Sequence, residues 1–409
     1  MTTVVHPGDS LSSRQRLVYI LVLGALTALG PFTVDLYLPA FPAVELSLDT
    51  TVSAIQLTLT ATTIGFALGQ LFVGPWSDKV GRRAPLIIAT AVHIAASLGI
   101  VFAPDVAWVG VLRVLQGAGA AGGGVVAMAT VRDLFGGLPL VRMMSRLALV
   151  SGLAPVVAPV IGSQLLRIVD WRGIFVFLAI YGAAVLLAAI FFLVETQPKA
   201  RRVDAGHGTI GQRYRNLFTD RIYVGIIIIA GMTFSGLFAY LSSATFLFQQ
   251  VYQFSAQQFG LLFAVNSIGI VIGVQTSSRL AKHVPPQWIL LGASSLMFLS
   301  GVTITSLNFA HAGLVGILVP LWFFLLACGF AFPCQTVLAL AGHAGEAATA
   351  ASVLGAMNFG VAGLLSPIVG LFGIHNAIPM GTMMAVTATV SITVMLTVVR
   401  PRTVPALVR

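Results

Sequence analysis

Charge is scarce in this chain. Only 8% of its 409 residues are Asp, Glu, Lys or Arg, and just 12 are acidic. A water-soluble domain carries about 25% charged residues, so a fold with solvent on every side is excluded. Cysteine is scarcer still. Cys328 and Cys334 lie six positions apart on one expected helix and point to different faces, which excludes a disulfide framework and a thiol–metal site. The longest hydrophilic stretch runs only from Glu195 to Arg221, too short to be a domain. The first apolar segment is too long, and too poor in small-residue cleavage signals, to read as a cleaved leader.

Apolar sequence fills the space. Hydrophobic residues make up 57% of the chain and the mean hydropathy is +0.98. Runs long enough to cross a hydrocarbon core of ~30 Å are expected at 17–40, 51–75, 85–103, 107–131, 146–166, 173–194, 222–246, 257–278, 288–308, 313–338, 349–371 and 377–399. The chain therefore reads as an all-α polytopic membrane protein with 12 transmembrane helices. Its net charge of +10 could point to nucleic acid, but 19 of the 22 Lys and Arg residues fall in loops on one side of these spans. That bias is a topology signal, and it places both termini in the cytoplasm. Nucleic acid is not an expected partner; the lipid bilayer is.

The spans group into two pseudo-symmetric sets of six. Residues 1–194 form an expected N-terminal six-helix bundle, 195–221 a cytoplasmic linker, and 222–409 a C-terminal six-helix bundle. GLAPVVAPVIG, from Gly152, and GVAGLLSPIVG, from Gly360, align at an offset of 208, so Gly152, Ala154, Pro159 and Gly162 meet Gly360, Ala362, Pro367 and Gly370. Two parallel repeats with Gly/Pro-interrupted helices describe a transporter whose halves rock around a central site.

The most specific local feature is the turn GQLFVGPWSDKVGRR, from Gly69 to Arg83. It resembles the G-x-x-x-D-[RK]-x-G-R-[RK] signature of the major facilitator superfamily, carried here by Gly74, Asp78, Lys79, Gly81, Arg82 and Arg83. LRVLQGAGAAGG resembles the R-x-x-Q-G motif of that superfamily's fourth helix, through Arg113, Gln116 and Gly117. VSGLAPVVAPVIG resembles its antiporter motif, through Gly152, Pro155, Pro159 and Gly162, which shifts the expected direction toward efflux. LGPFTVDLYLPAFP, VRDLF and DWRGIF are similar to the Bcr/CflA branch, proton-coupled exporters of bicyclomycin, chloramphenicol and related drugs. The resemblance implies the major facilitator fold and a bacterial inner-membrane, multi-pass, monomeric protein. It also implies a cytoplasmic latch in which Asp78 meets the N-terminal end of span 11. Asp133 is a candidate partner for Arg82 in that latch; a solvated surface ion pair is the plainer reading, worth about 0–1 kcal/mol.

Two ionisable residues lie at depth. Asp35 is the only acid well inside a span and Arg113 the only base. A charge at mid-bilayer costs at least ~2.5–3.5 kcal/mol, so each must face the interior and find a partner. Burial favours the protonated carboxylate and a nearby guanidinium the ionised one. Asp35 is therefore the expected proton-coupling site and Arg113 the group that modulates it; a static pair fixing helix packing is the alternative. The cavity candidates are Tyr37, Gln56, Thr60, Gln116, Tyr240, Asn266, Met357 and Asn358. His93 reads as a packed polar residue. No metal or cofactor is expected beyond protons as coupling ion. The cargo is a small, moderately hydrophobic drug, phenicol- or bicyclomycin-like, with an endogenous metabolite or self-made antibiotic as the alternative. One buried acid and one buried base do not make a catalytic cluster, so an enzyme is not expected.

Overall fold

The computed structural model describes residues 8, 11–197, 210–343, 347–372 and 375–405. Among these residues every regular element is helical, and 12 segments are long and apolar enough to cross a membrane. The N-terminal bundle contains α1 (Ser13–Asp35), α2 (Phe41–Ser47), α3 (Val52–Val80), α4 (Arg83–Val101), α5 (Val106–Leu134), α6 (Gly137–Leu165) and α7 (Trp171–Phe192). The linker supplies α8 (Ile210–Thr219). The C-terminal bundle contains α9 (Arg221–Phe246), α10 (Ala256–Leu280), α11 (Pro286–Phe309), α12 (Val315–Ala341), α13 (Ala347–Leu371) and α14 (Ile378–Val394). The rest of the linker, 198–209, lies outside the described residues.

Three of the scarce acids mark helix starts. Asp105, Asp170 and Asp220 cap α5, α7 and α9, accepting from the backbone N–H of Trp108, Gly173 and Ile222. An acid there meets both the unsatisfied amides and the positive end of the helix dipole. Ser12 and Ser255 open α1 and α10 with complete capping boxes.

Close backbone approach repeats between the halves. A Cβ on Gly65 of α3 would sit 2.1 Å from the Val114 carbonyl of α5, and one on Gly273 of α10 would sit 2.2 Å from the Leu326 carbonyl of α12. Gly65 and Gly273 are related by the same offset of 208 seen in the sequence. Small residues at such crossings let membrane helices pack backbone to backbone. The bundles meet along two seams, α3 on α13 and α6 on α10.

The first span, expected over 17–40, is broken. α1 stops at Asp35, a single 3₁₀ turn covers Leu38–Ala40, and α2 carries the chain on to Ser47. Pro31 inside α1 and Pro39 in the turn both lack the N–H that a continuous helix needs.

Candidate functional site

Four features define the site: a turn network, a broken helix, a seal and a cavity. The turn network lies at the α3–α4 junction. Gly81 ends α3 at φ 103°, a left-handed conformation suited to glycine. Arg82 then reaches back, Nε donating to Asp133 at 2.8 Å, with Nη1 donating to Ser77 Oγ at 2.8 Å and to Asp78. These pairings hold the Arg82 guanidinium above its ordinary value despite its burial. Glu195, just past α7, accepts from the backbone amides of Arg82 at 2.9 Å and Arg83 at 3.2 Å, placing a carboxylate at the start of α4. Arg83 also donates to the Ile190 carbonyl, while Lys79 is exposed. Thr196 donates to Asp133 and Gln197 to the Asp78 carbonyl. The start of the linker is thus folded onto the turn, a role the sequence reading missed.

The expected contact of Asp78 with the N-terminal end of span 11 falls in part on residues 344–346, outside the described residues. Asp78 pairs inside its own turn, and among the described residues no hydrogen bond joins it to α13. Gly74 does approach that helix: a Cβ there would lie 3.7 Å from Ser352 Oγ.

The broken end of α1 is capped by Arg113. Its Nη1 donates to the Thr33 carbonyl and to Gln116 Oε1, both at 2.8 Å. The guanidinium carbon lies 4.7 Å from the Tyr37 ring centroid and 5.8 Å from that of Phe175. A cation suits this place, since a helix C-terminus leaves carbonyls unsatisfied and carries partial negative charge, and the rings add a cation–π attraction. Gln116 continues the network to Ser97, and His93 packs against the Gln116 carbonyl. Arg113 Nε and Nη2 have no partner among the described residues.

Asp35 does not join this network. It is buried, and among the described residues it makes neither an ion pair nor a hydrogen bond, with Arg113 or any other group. Its electrostatic neighbour is Tyr240 on α9, across the bundle interface. The expected Asp35–Arg113 pairing is therefore corrected. Equal depth did not mean equal direction, because Arg113 is turned into the N-terminal bundle while Asp35 lies toward the other half.

Beyond Asp35 the two halves are sealed. Gln56 donates to the Ser242 carbonyl at 3.0 Å, Ser53 to the Gly370 carbonyl at 3.3 Å, Gln249 to the Pro39 carbonyl at 3.1 Å and Gln257 to the Ser163 carbonyl at 2.9 Å. Gln250 donates to Glu45 at 2.7 Å. The antiporter motif lies partly in this seal. A Cβ on Gly260 of α10 would stand 3.0 Å from the Pro159 carbonyl across the bundles, while one on Gly162 would stand 2.2 Å from the Leu36 carbonyl within the N-terminal bundle. Pro155 is half-buried, and Gly152 is exposed with open space around it.

At the other end lies a cavity of about 450 Å³, extending between the bundles to the α3–α4 turn. Its walls include Pro31 of α1, Phe66 and Gln70 of α3, Tyr214 of α8, and Ser352 and Phe359 of α13. Phe66 and Phe359 stack across the bundles, centroids 5.0 Å apart and planes at 21°. None of the eight cavity candidates lines this space. Tyr37 and Gln116 are buried in the N-terminal bundle; Gln56, Tyr240 and Asn266 are tied up in hydrogen bonds; Thr60 is buried on α3, and Met357 and Asn358 are half-buried beside Phe359. The lining residues Phe66, Gln70, Tyr214 and Phe359 were missed. Gln70 had a signal, since it stands at the start of the quoted turn motif. A second groove, about 500 Å³ between α11 and α12, is lined by Leu299, Val315 and Val319 on the outward surface, where lipid would cover it.

The architecture has known counterparts. The family model described as "Major Facilitator Superfamily" matches residues 23–370. An uncharacterized MFS-type transporter, YdgK of Bacillus subtilis, is 32% identical over 93% of this chain and 94% of its own length. A bicyclomycin resistance protein homolog of Haemophilus influenzae is 30% identical over 89% of this chain and 91% of its own. Among solved structures, a bacterial homolog of the human lysosomal transporter Spinster, inward-facing and unoccupied, superposes with a TM-score of 0.72 at 14% identity, covering 97% of this chain and 100% of that one; that likeness concerns the fold alone. With its twelve spans in two bundles, the chain is a multi-pass transporter of the bacterial inner membrane and belongs to the major facilitator superfamily.

Proposed function

We propose that this protein is a proton-coupled exporter of small, moderately apolar drugs, with the α3–α4 turn and both termini on the cytoplasmic side. The observation that carries the reading is Asp35: a buried carboxylate at the bundle interface, without hydrogen bond or ion pair among the described residues. An unpaired charge in such a place is costly, so the carboxyl group is suited to hold a proton when buried and lose it when water reaches it. Opening of the Gln56–Ser242 seal would admit that water from the far side. Arg113, bonded to Thr33 two residues earlier, holds the broken end of α1 and so couples any movement of Asp35 to the N-terminal bundle. The lysine and arginine bias supports the orientation. The relative named for bicyclomycin resistance supports a drug as cargo.

The driving force is adequate. One charge crossing the membrane is worth ~2.3 kcal/mol per 100 mV, so roughly 180 mV supplies about 4 kcal/mol and sustains about a thousandfold gradient of a neutral solute. The test is Asp35→Asn in everted vesicles with chloramphenicol as cargo. Drug-induced proton release should vanish, and unchanged release would remove Asp35 from the coupling. A susceptibility panel in an efflux-deficient host tests the cargo: a drug exporter raises the inhibitory concentration of phenicol- or bicyclomycin-like compounds on expression, and a metabolite exporter leaves the whole panel unchanged.

A further inference from the structure

We infer that Gln70, seated on Gly355 beside the Phe66–Phe359 stack, recognises a carboxamide on the transported compound; the inference rests on the export reading above. Gln70 lies one turn from Phe66 on α3, and Gly355 one turn from Phe359 on α13, so the two antiparallel helices set ring against ring and amide against glycine. Phe66, Gln70 and Phe359 line the 450 Å³ cavity together. A Cβ on Gly355 would lie 1.6 Å from Gln70 Oε1 and 3.2 Å from Nε2. The amide thus occupies the room that any other residue at 355 would fill.

Gln70 makes no hydrogen bond among the described residues, although its group offers one acceptor and two donors. Its counterpart shows that this is not how the seam must be built. Gln56, two heptads earlier on α3, rests on Gly370 in the same manner, with a Cβ position 1.8 Å from its Oε1, and is committed to the Ser242 carbonyl. The same device appears twice, bonded at the sealed end and uncommitted where the cavity is. A donor and an acceptor side by side complement the C=O and N–H of another amide. The adjoining phenylalanines suit a planar or apolar portion, since ligand pockets pair apolar walls with a few placed polar groups. The ligand class is a neutral compound joining an aromatic or apolar part to a carboxamide.

The experiment measures uptake into everted vesicles of chloramphenicol, which joins a nitrophenyl ring to a carboxamide through an aliphatic chain, and of its analogue with the amide replaced by an ester. The proteins are the wild type, Gln70→Met and Gly355→Ala. The wild type should prefer the amide. Gln70→Met should raise the KM for chloramphenicol roughly three- to tenfold more than that for the ester, the worth of the one neutral hydrogen bond that the amide N–H makes and the ester, which keeps only its C=O, cannot. Gly355→Ala keeps the amide but displaces it, and should erase the same preference without removing any polar atom. Equal loss for amide and ester in Gln70→Met, or full discrimination in Gly355→Ala, overturns the assignment while leaving the export reading intact. If the wild type moves neither compound, both the export reading for this class and the assignment fall.

Discussion

The two ends of the bundle interface are held by different chemistry. At the α3–α4 turn the polar contacts are ionic and stay within one bundle: Arg82 with Asp78 and Asp133, and Glu195 on the start of α4. At the far end they are mostly neutral and cross between bundles, side-chain amides of Gln56, Gln249 and Gln257 on backbone carbonyls. A charged network holds the shape of a unit that moves as one body. Neutral hydrogen bonds, each worth about 1 kcal/mol net, suit a contact that must be made and broken in every cycle. A seal of buried ion pairs would be costly to separate, because breaking it leaves uncompensated charge.

The largest expected effect comes from breaking the ionic side. Arg82→Ala leaves Asp78 and Asp133 without the cation between them. The side chains of Arg82, Asp78 and Asp133 are 10%, 39% and 19% exposed, so solvent tempers the loss to about 2 kcal/mol. Thermal unfolding in detergent should show a markedly lower midpoint, with Arg82→Lys between the two because an ammonium cannot fork to both partners. The far-end seal should be unaffected. A variant that kept full stability but opened that seal would reverse the assignment of roles to the two ends.

Next in size is Gly370→Ala. The new methyl would lie 1.8 Å from Gln56 Oε1 and 3.5 Å from Ser53 Oγ, so the bonds to Ser242 and Gly370 are both disturbed. Loss of one or two neutral hydrogen bonds shifts the population toward an open far end by roughly five- to thirtyfold. Spin labels at Leu46 and Phe372, which are 82% and 73% exposed, would report this as a longer distance. An unchanged distance distribution in a well-folded variant would mean that the seal does not depend on Gln56.

Much of this frame was legible in the residues. Hydropathy located the spans, the offset of 208 exposed the repeat, and the glycines and charges of the α3–α4 turn marked where the chain reverses. Direction around the bundle axis was not legible. Asp35 and Arg113 share a depth, and depth follows from counting residues; which neighbour each faces depends on helix rotation and on where α1 ends. That end is set in part by Arg113 itself, which takes the Thr33 carbonyl. The cavity was obscured for a related reason. In an apolar chain a polar side chain can serve packing as well as a ligand, and Gln56, Tyr240 and Asn266 make hydrogen bonds within the protein. Phe66 and Phe359, by contrast, are two of 26 phenylalanines with nothing local to distinguish them.

The smallest effects separate burial from contact number. Gln249 and Gln250 are adjacent, and each bonds across the bundles, one to the Pro39 carbonyl and one to Glu45. Gln249 is half-buried and its bond replaces no easily available water. Gln250 is exposed, and although its acceptor is charged, water can take over either partner at little cost. Gln249→Ala should therefore raise the open population about fivefold, and Gln250→Ala by less than twofold, on the same pair of labels. Added salt should leave both effects essentially unchanged, since neither bond joins two charged groups. Equal effects from the two variants would mean that the seal counts contacts irrespective of solvent, and the contrast between a neutral, breakable end and an ionic, permanent one would lose its physical basis.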